Sequence, residues 1–515
     1  MKIKTTVWFI MLLSTHCFAN EQSIRTNEHI TKHMFSSATD NRFALLNNEQ
    51  PNYQQLIASH GQPYLWFDNN KLNLSGLSLV SLLDDLGIKG LPYDMLDSAI
   101  NLSVADQQLS QQLFYIANLF NGYQLKPIAN PKEEIIQAVQ NHNVASYIDQ
   151  LLPQFDQVVR LRSAIAYYRQ LSKSTWPRLD KNLRFTLGQG HQEIIKIRHM
   201  LSALGDLDKG TYSLYRQHIF DPEMIIALKK FQARHGLKEK GELNTQTISA
   251  LNITPEQRVK IMQINLWRWL SLPSIPPKRY VIVNIPSYQL SLMENQQESL
   301  SMKVIVGDME HPTPIMVTQV NSVTINPTWT PPYSIVHKEL LPENTRNPGS
   351  LKRQHFTLTQ GYGHDRISQP VFNDSASIKQ ALGKYKLVQS SGENNALGKY
   401  RFNIKNFHSV YLHDTPAKSL FNKTNRALSH GCVRLQSADK LAKHFLTTQG
   451  LTKNRRVSKA IRSTHTQHFT LAQSIPVYLT YQTVLVTATG KLQWQADIYQ
   501  LDASVSLNTQ SSTTS

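Results

Sequence analysis

The stretch Tyr280-Val281-Ile282-Val283-Asn284-Ile285 marks the position at which the hydrophobic pattern of this 515-residue chain changes. Its side chains alternate with a period of two, which is typical of a half-buried β-strand. Further strand-like runs follow between turns rich in proline and glycine, at residues 302–306, 320–325, 410–412 and 477–486. We therefore expect a mainly β domain over residues 280–502, in a multidomain chain of the α+β class.

A more polar segment, residues 334–395, interrupts the strand pattern of this domain. It contains helix-forming stretches, such as His337-Lys338-Glu339 before two leucines and a proline, and it lacks the alternation of the flanking runs. We expect a helical insertion that lies over a site.

Towards the amino terminus, apolar residues recur every three to four positions instead. Leu161, Ile165 and Tyr168 fall on one face of a helix, and an earlier helical run over residues 77–86 is stopped by Gly87. The pattern predicts an all-α scaffold region over residues 51–186 and a linker helix within residues 254–279.

Residues 187–253, between the scaffold and the linker, have the pattern of a small module of three short helices. In its clearest helix, Asp221 is placed as the N-cap, Pro222 as the first helical residue, and Gly236 as the left-handed residue past the end. Such short helices bury their apolar stripes only against one another, so they predict a compact bundle.

The two ends of the chain differ from the rest. Lys2 and Lys4 precede an apolar run that ends in small residues before Asn20, which is typical of a secretory signal peptide over residues 1–19. We expect a flexible lead over residues 20–50 and a disordered, Ser- and Thr-rich tail over residues 503–515. Export to the periplasm, in association with the cell wall, follows from this interpretation.

The amino-acid composition excludes several classes of site and indicates the charge of the partner. Two cysteines cannot form a disulfide framework, a cysteine-rich zinc module or an iron-sulfur cluster, and signal cleavage leaves only Cys432. A net charge of +18 suits an anionic partner such as an acidic wall polymer, anionic lipid or nucleic acid, and export argues against nucleic acid. Past the signal peptide, no apolar stretch is long enough to span a membrane.

The residues able to do chemistry gather in two short motifs, Tyr411-Leu412-His413-Asp414-Thr415-Pro416 and Ser429-His430-Gly431-Cys432-Val433-Arg434. A cysteine attacks as its thiolate, and its free pKa of about 8.5 leaves a small fraction ionised at neutral pH. Because a neighbouring imidazole or cation lowers that pKa, we expect His413, His430 and Arg434 to activate Cys432 as a nucleophile.

Residues on either side of Cys432 predict how its backbone is held. Gly431 permits a tight turn in which main-chain N–H groups stabilise an oxyanion. Ser437 is placed to cap a helix whose apolar face is Ala438, Leu441, Ala442, Phe445 and Leu446. The cysteine is therefore expected just before a helix, on a rigid support.

Other interpretations of the same residues remain open at this point. Cys432 could be a buried, inert cysteine. His408, His413, His430 and Cys432 could ligate zinc, although their spacing matches no common zinc motif. Ser437-Ala438-Asp439-Lys440 imitates the Ser-x-x-Lys of penicillin-recognising enzymes, but the companion motifs of those enzymes do not follow it.

His413, fifteen further residues and then Ser429 to Arg434 resemble the signature of the L,D-transpeptidases, whose catalytic domain is of the YkuD type. Ala227-Leu228-Lys229-Lys230-Phe231-Gln232, followed by His235-Gly236-Leu237, resembles the peptidoglycan-binding module of bacterial wall enzymes. With the helical amino-terminal region, the chain resembles the large periplasmic YcbB-type members. Further matches to that group are Asn265 to Trp269, Asn326 to Trp329, Asn394 to Gly398 and Asp497 to Tyr499.

The resemblance implies roles for individual residues. Cys432 corresponds to the nucleophile, His413 to the general base, and Asp414 to the residue whose backbone carbonyl orients that base. His430 and Gly431 correspond to the segment that offers oxyanion donors with the cysteine. Arg434 corresponds to a residue that braces the site or meets a substrate carboxylate, and Tyr411 and Trp329 are candidate walls of the substrate pocket. We expect no metal and no other cofactor.

The activity that this resemblance implies is acyl transfer from a peptidoglycan tetrapeptide stem. D-Ala is released, a thioester forms on the cysteine, and an amine acceptor completes a 3→3 cross-link. Two alternatives belong to other classes: a cysteine peptidase that hydrolyses peptidoglycan stems, and a non-catalytic scaffold that binds the wall. The acceptor amine, and other wall-synthesis proteins as partners, are left open by the sequence.

Overall fold

The structure is a computed structural model that describes residues 53–88, 102–123, 131–208, 216–361, 365–451 and 455–502. The predicted signal peptide, the lead over residues 20–50 and the tail over residues 503–515 lie outside the described residues. In these six stretches, no helix is both long and apolar enough to cross a membrane.

The chain divides into two compact units. One is formed by the described residues up to 276 together with 481–502, and the other by residues 277–480. The β domain therefore ends at residue 480 in the structure, whereas the sequence pattern placed its end at 502.

The first unit begins with helices α1 to α6, and a two-residue β ladder interrupts them. The ladder pairs β1 (Phe67–Asp68) with β2 (Lys71–Leu72), so this region is not purely helical. As expected, Gly87 ends its helix in the left-handed conformation, with φ of 70°. The helices are α1 (Tyr53–His60), α2 (Leu74–Leu86), α3 (Leu102–Tyr123), α4 (Pro131–Gln140), α5 (Val144–Gln150) and α6 (Asp156–Leu171).

The three-helix module and the linker helix follow. The module contains α7 (Gln192–Ala203), α8 (Pro222–Arg234) and α9 (Thr245–Leu251), and the linker is α10 (Pro255–Leu270). Asp221 caps α8 by accepting a hydrogen bond from the Met224 N–H, and Gly236 past its end has φ of 63°. The predicted start and stop of this helix are both confirmed.

Residues after 480 return to the helical unit as a hairpin of β15 (Val484–Val486) and β16 (Leu492–Trp494). The fully buried Asn265 of α10 accepts from the N–H groups of Thr483 and Val484 at 2.7 and 3.2 Å. The side-chain amide of Gln157, in α6, accepts a hydrogen bond from the Val486 N–H and donates one to the Val486 carbonyl. The prediction of one continuous strand over residues 477–486 is wrong. The side-chain amides of Asn265 and Gln157 form hydrogen bonds with backbone groups that would otherwise pair with a neighbouring strand.

A half-buried histidine, His235, joins the module to this hairpin. The His235 Nδ1–H donates to the Phe231 carbonyl at 2.7 Å, and its Nε2 accepts from Arg258 at 3.1 Å. The ring stacks on Trp494, with an interplanar angle of 9°. Burial, together with the charges of Arg234 and Arg258, lowers the pKa of His235 to about 2, so the ring is neutral over the physiological range.

Acid should destabilise the helical unit through His235. The unfolded chain binds a proton at this histidine near its ordinary pKa of 6.5, whereas the folded chain resists protonation until about pH 2. Its stability contribution is therefore complete above pH 6.5 and falls below it, by about 2 to 3 kcal/mol at pH 4.5. The measurement is urea unfolding at pH 7 and pH 4.5. We expect His235→Gln to lose less stability on acidification than the unchanged chain, and the exposed His199→Gln to lose as much. Equal losses in all three chains contradict the prediction.

The second unit is built on a nine-stranded mixed sheet in the order β12-β5-β13-β11-β10-β6-β14-β3-β4. The sheet closes on itself because β4 also pairs with β5. Three neighbouring pairs run parallel, β11 with β13, β5 with β12, and β3 with β14. The strands are β3 (Arg279–Asn284), β4 (Gln289–Glu294), β5 (Gln297–Gly307), β6 (Met316–Ile325), β10 (Tyr400–Ile404), β11 (Leu412–His413), β12 (Ala427–Ser429), β13 (Val433–Leu435) and β14 (Gln467–Thr480).

The insertion between β6 and β10 contains both helices and strands. A three-stranded antiparallel sheet joins β7 (Phe356–Gln360) to β8 (Ile367–Pro370) and β9 (Lys386–Gln389). The expectation of a helical insertion is corrected, because the alternating Phe356 and Leu358 bury one face of β7 in a local apolar core. The helical segments are α11 (Tyr333–Ile335), a π-helical turn (Val336–Leu340), α12 (Leu341–Arg346), α13 (Ser350–Arg353) and α14 (Ser375–Ala381).

Two helices complete this unit, α15 (Ala438–Thr448) and α16 (Arg455–Arg462). All five residues of the predicted apolar face of α15 are buried, as expected. Ser437 occupies the N-cap position, but its hydroxyl makes no capping hydrogen bond, so that part of the prediction is wrong.

Candidate active site

The two motifs meet in the middle of the large sheet. Strand β11 pairs in parallel with β13, which places Leu412 opposite Val433 and His413 opposite Arg434. Just before these strands, the Val433 N–H donates to the Tyr411 carbonyl at 3.1 Å. Residues two apart in extended chain point to the same side, so Tyr411, His413, Cys432 and Arg434 face one way. Cys432 thus lies immediately before a strand, not before a helix as the sequence suggested.

His413 is buried and its orientation is fixed. Its Nδ1 lies 2.5 Å from the backbone carbonyl oxygen of Asp414, so Nδ1–H donates and Nε2 carries the free lone pair. Burial, with the nearby charge of Arg434, lowers the pKa of His413 to about 3. At neutral pH the ring is therefore an unprotonated base.

Asp414 is itself held on several sides. Its carboxylate accepts from Lys418 Nζ at 2.5 Å and from the Lys399 N–H at 2.9 Å, and its own N–H donates to the Tyr400 carbonyl at 2.8 Å. A Cβ at Gly398, which has φ of 58°, would lie 2.5 Å from the Asp414 carboxylate. Glycine at 398 is thus required by the contact that fixes Asp414.

The sulfur of Cys432 is half-buried and protonated at rest. It lies 4.0 Å from the Ser409 carbonyl oxygen, and it hydrogen-bonds with Tyr411. Burial raises the pKa of the Cys432 thiol and outweighs the opposing effects of Tyr411, Arg434 and Arg401. The expectation of a lowered thiol pKa is therefore wrong, because desolvation of the thiolate is larger than its attraction to the neighbouring cations. At rest the Cys432 thiol and the His413 imidazole are therefore both neutral.

A pH profile of alkylation tests this neutral pair. In the Cys17→Ser chain, whose sole cysteine is Cys432, we expect the iodoacetamide reaction to have its midpoint above the free-thiol pKa of about 8.5. A raised pKa keeps the sulfur protonated until higher pH, and only the thiolate reacts. The same chain unfolded in urea is the control and should show a midpoint near the free value. A reaction rate that is already constant below pH 7 in the folded chain contradicts the prediction.

The backbone on the amino-terminal side of the sulfur is held by a residue that sequence reasoning missed. Thr313 is 2% exposed, and its hydroxyl donates to the Gly431 carbonyl while accepting from the Gly307 N–H, each at 2.8 Å. The Ser429 hydroxyl donates to the Cys432 carbonyl at 2.6 Å. The C=O and N–H of one peptide point in opposite directions, so Thr313 directs the Cys432 N–H away from itself. Gly431 adopts φ of 98°, a conformation that glycine accepts without strain.

Removing the Thr313 hydroxyl should slow catalysis without weakening substrate binding. We expect Thr313→Val to lower kcat roughly 10- to 100-fold, somewhat less than outright loss of an oxyanion donor, with KM little changed. Thr313→Ser keeps the hydroxyl and is the matched control, expected to stay close to the unchanged chain. The measurement is steady-state kinetics of the family reaction described below. Equal activity of the Val and Ser variants contradicts the prediction.

His430 points towards the insertion. Its Nε2 lies 2.6 Å from the Oε1 of Glu339, which belongs to the π-helical turn. The His311 ring lies 4.6 Å from the His430 ring, centroid to centroid, and its Nδ1 is 3.2 Å from the Asp308 carboxylate. The insertion is thereby joined to the loop that carries the nucleophile. The side chain of His430 serves this contact, and only its backbone remains for an oxyanion.

Tyr411 and Trp329 stand together on the other side of the thiol. The Tyr411 hydroxyl hydrogen-bonds with Cys432 and with Trp329, and burial raises the pKa of Tyr411. Trp329 also packs on Phe356 of the insertion, with ring centroids 6.1 Å apart. Tyr411 therefore adjoins the sulfur, whereas Trp329 adjoins Tyr411 and packs against the apolar core of the insertion.

Arg401 of β10 is a further residue of this face that sequence reasoning missed. It pairs directly with His413, and its guanidinium lies 5.3 Å from the centre of the Tyr411 ring. The alternation of apolar and polar residues from Tyr400 to Ile404 could have indicated this position. It places Arg401 and Asn403 on the face opposite the buried apolar residues.

The zinc interpretation receives no support from the geometry. Within the stretches that the structure describes, no three or more His, Cys, Asp and Glu side chains form a group that could hold a metal ion.

Two family models match parts of the chain. Residues 278–457 match the family model YkuD, described as the L,D-transpeptidase catalytic domain. This stretch of the chain is similar to an L,D-transpeptidase catalytic domain. Residues 190–251 match the model described as a "Putative peptidoglycan binding domain". The expected catalytic domain and peptidoglycan-binding module are confirmed.

Individual relatives are similar over part of the chain. A "Putative L,D-transpeptidase" of Haemophilus influenzae is 34% identical over 227 residues, which is 44% of this chain and 45% of that protein. The L,D-transpeptidase of Stackebrandtia nassauensis is 14% identical, covering 59% of this chain and 97% of its own, with a TM-score of 0.21. L,D-transpeptidase 1 of Mycobacterium tuberculosis is 14% identical, covering 40% and 63%, with a TM-score of 0.19. At such TM-scores the two solved structures carry no weight, and the assignment rests on the family matches.

Proposed function

We propose that the protein is a peptidoglycan L,D-transpeptidase that works by acyl transfer through Cys432. The observation that carries the proposal is the orientation of His413. Its Nδ1 is bound to the Asp414 carbonyl, and its neutral Nε2 belongs to the same sheet face as the thiol. The match to the catalytic domain supports the reaction class.

In the first half-reaction the sulfur attacks the carbonyl between the L-centre of diaminopimelate and the terminal D-Ala of a tetrapeptide stem. As the S–C bond forms, the thiol proton passes to His413 Nε2. The thiol and the imidazole both start neutral. The positive charge on His413 therefore appears only while the S–C bond forms. Backbone N–H groups of the loop that contains Gly431 and Cys432 receive the oxyanion. The C–N bond then breaks, and His413 returns the proton to the leaving D-Ala nitrogen.

In the second half-reaction the side-chain amine of another stem attacks the thioester. His413 takes a proton from that amine, the C–S bond breaks, and a 3→3 cross-link forms while the thiol is restored. Water is the competing nucleophile. The Glu339 to His430 contact holds the insertion beside the nucleophile loop, where it limits the access of water.

The wall-binding module and the charge agree with a peptidoglycan substrate. The module matches a peptidoglycan-binding family, and a net charge of +18 favours anionic wall polymers. With the predicted signal peptide, these features support a location in the periplasm, associated with the cell wall. Other wall-synthesis proteins are compatible with the same features as further partners.

Mass spectrometry of muropeptides tests the proposal. Incubation of purified disaccharide-tetrapeptide with the protein should yield free D-Ala and a dimer lighter than two donors by one D-Ala. Cys432→Ala should abolish both products because the proposed thioester forms on the Cys432 sulfur. Cys17→Ser, the replacement of the other cysteine, should leave both unchanged.

Three outcomes separate the functional classes. Cleaved stems without dimers indicate a hydrolytic peptidase. Binding to sacculi without any product, equal before and after alkylation of Cys432, indicates a scaffold. D-Ala release that persists in Cys432→Ala refutes cysteine catalysis.

A further inference from the structure

Two arginines flank His413 in one lateral row of the sheet. Arg401 on β10 is paired with His413 on β11, and His413 is paired with Arg434 on β13. Directly paired residues point to the same side of a sheet, with Cβ atoms about 5 Å apart. The base therefore stands between two guanidinium groups, on the face that also carries the thiol.

Neither guanidinium forms an ion pair with a carboxylate in the described part of the chain. Arg401 donates through Nε to the neutral Asn403 Oδ1 at 2.7 Å, and it lies over the Tyr411 ring. Glu339 is the acidic residue that acts on Arg434, and its carboxylate is bound to His430. Elsewhere in the same unit, Arg279 is paired with Glu294 at 2.7 Å.

Two half-buried cations that form no ion pair with a carboxylate are unfavourable unless a ligand supplies the anion. Both are partly desolvated, and burial lowers the pKa of Arg434. A carboxylate is the group that a guanidinium binds best, because its two oxygens match the planar fork of N–H donors. The row therefore has the composition of a carboxylate subsite.

The chemistry of the proposed reaction indicates which carboxylate is bound. The leaving nitrogen must reach His413 to receive a proton when the C–N bond breaks. In a terminal amino acid, the carboxylate carbon is two bonds from that nitrogen. A side chain adjacent to His413 is therefore within reach of the carboxylate of the leaving residue.

We propose that Arg401, with Arg434, binds the terminal carboxylate of the residue that the enzyme expels from the donor stem. This inference rests on the proposed function and adds a determinant of donor specificity to it. It restricts the donor to stems in which one residue with a free carboxylate follows the scissile bond. Stems extended or capped at that end are then poor donors, so the site removes a terminal residue and does not cut within a chain.

The side chains around Arg401 are polar, which suits the binding of a polar substrate terminus. Arg401 is paired on its other side with Thr324, whose hydroxyl lies 2.9 Å from His468 Nδ1. Asn403 donates to Thr324 Oγ1 at 3.1 Å. The row thus continues as polar side chains from the base to the exposed His468.

The experiment compares two donors that differ only at the terminal group. One is a tetrapeptide stem with a free D-Ala carboxylate, and the other carries a C-terminal carboxamide. Release of D-Ala or its amide is followed with the full chain, Arg401→Gln, Arg401→Lys and Lys405→Gln. Lys405 is an exposed cation just after β10, so its replacement removes the same charge away from His413.

We expect the unchanged chain to prefer the free acid over the amide by roughly 10- to 100-fold in kcat/KM, the range of a charge-assisted hydrogen bond. Arg401→Gln should abolish most of that preference, Arg401→Lys should keep part of it, and Lys405→Gln should keep all of it. The ratio between donors cancels effects on folding and on the nucleophile, since both donors meet the same active sites.

Two results overturn the inference in distinguishable ways. A loss of activity in Arg401→Gln that is equal for acid and amide shows that Arg401 acts on the thiol and imidazole, not on the substrate. Absence of release from either donor by the unchanged chain refutes the proposed function, and the inference with it.

Discussion

The hydrogen bond between His413 Nδ1 and the Asp414 carbonyl is the constraint on which the arrangement of the site depends. It decides which nitrogen of the ring is free and directs that nitrogen to the sheet face of the thiol. The bond is between consecutive residues, so it persists only because Asp414 cannot rotate. Lys418, Lys399 and the absence of a side chain at Gly398 provide that restraint. The His413 ring is thereby held in one orientation, as its proposed role as the general base requires.

Burial determines the protonation states at this site. A nucleophilic cysteine is often an ion pair with histidine, and the cations around Cys432 favour that state. Here desolvation is stronger, and it acts on both partners in opposite directions. It raises the thiol pKa and lowers the imidazole pKa, so both groups stay neutral until substrate arrives. A protonated sulfur also oxidises slowly, which suits a free cysteine in the oxidising compartment that the predicted export implies.

The sequence pattern predicted those features of secondary structure that depend on residues a few positions away. It missed the features that depend on contacts with residues distant in the sequence. The caps at Asp221 and Gly236 and the apolar face of α15 follow from residues within a few positions, and the structure has them. The strand predicted through residue 486 was interrupted because Asn265 and Gln157, remote in sequence, bind its backbone. The motif residues converged as expected. Thr313 and Arg401 escaped notice because only the strand register and a loop contact bring them to the site.

The return of residues 481–502 to the helical unit imposes an order on the biogenesis of the protein. The amino-terminal helices are synthesised before the β domain, but Asn265, Gln157 and His235 also contact the hairpin, which is synthesised after it. Through the whole synthesis of the intervening β domain, that surface stays incomplete. Domains emerging in sequence usually fold in sequence. Here the unit whose synthesis begins first is completed only after the β domain has been made, so a nascent chain that stalls before β15 and β16 carries an incomplete helical unit.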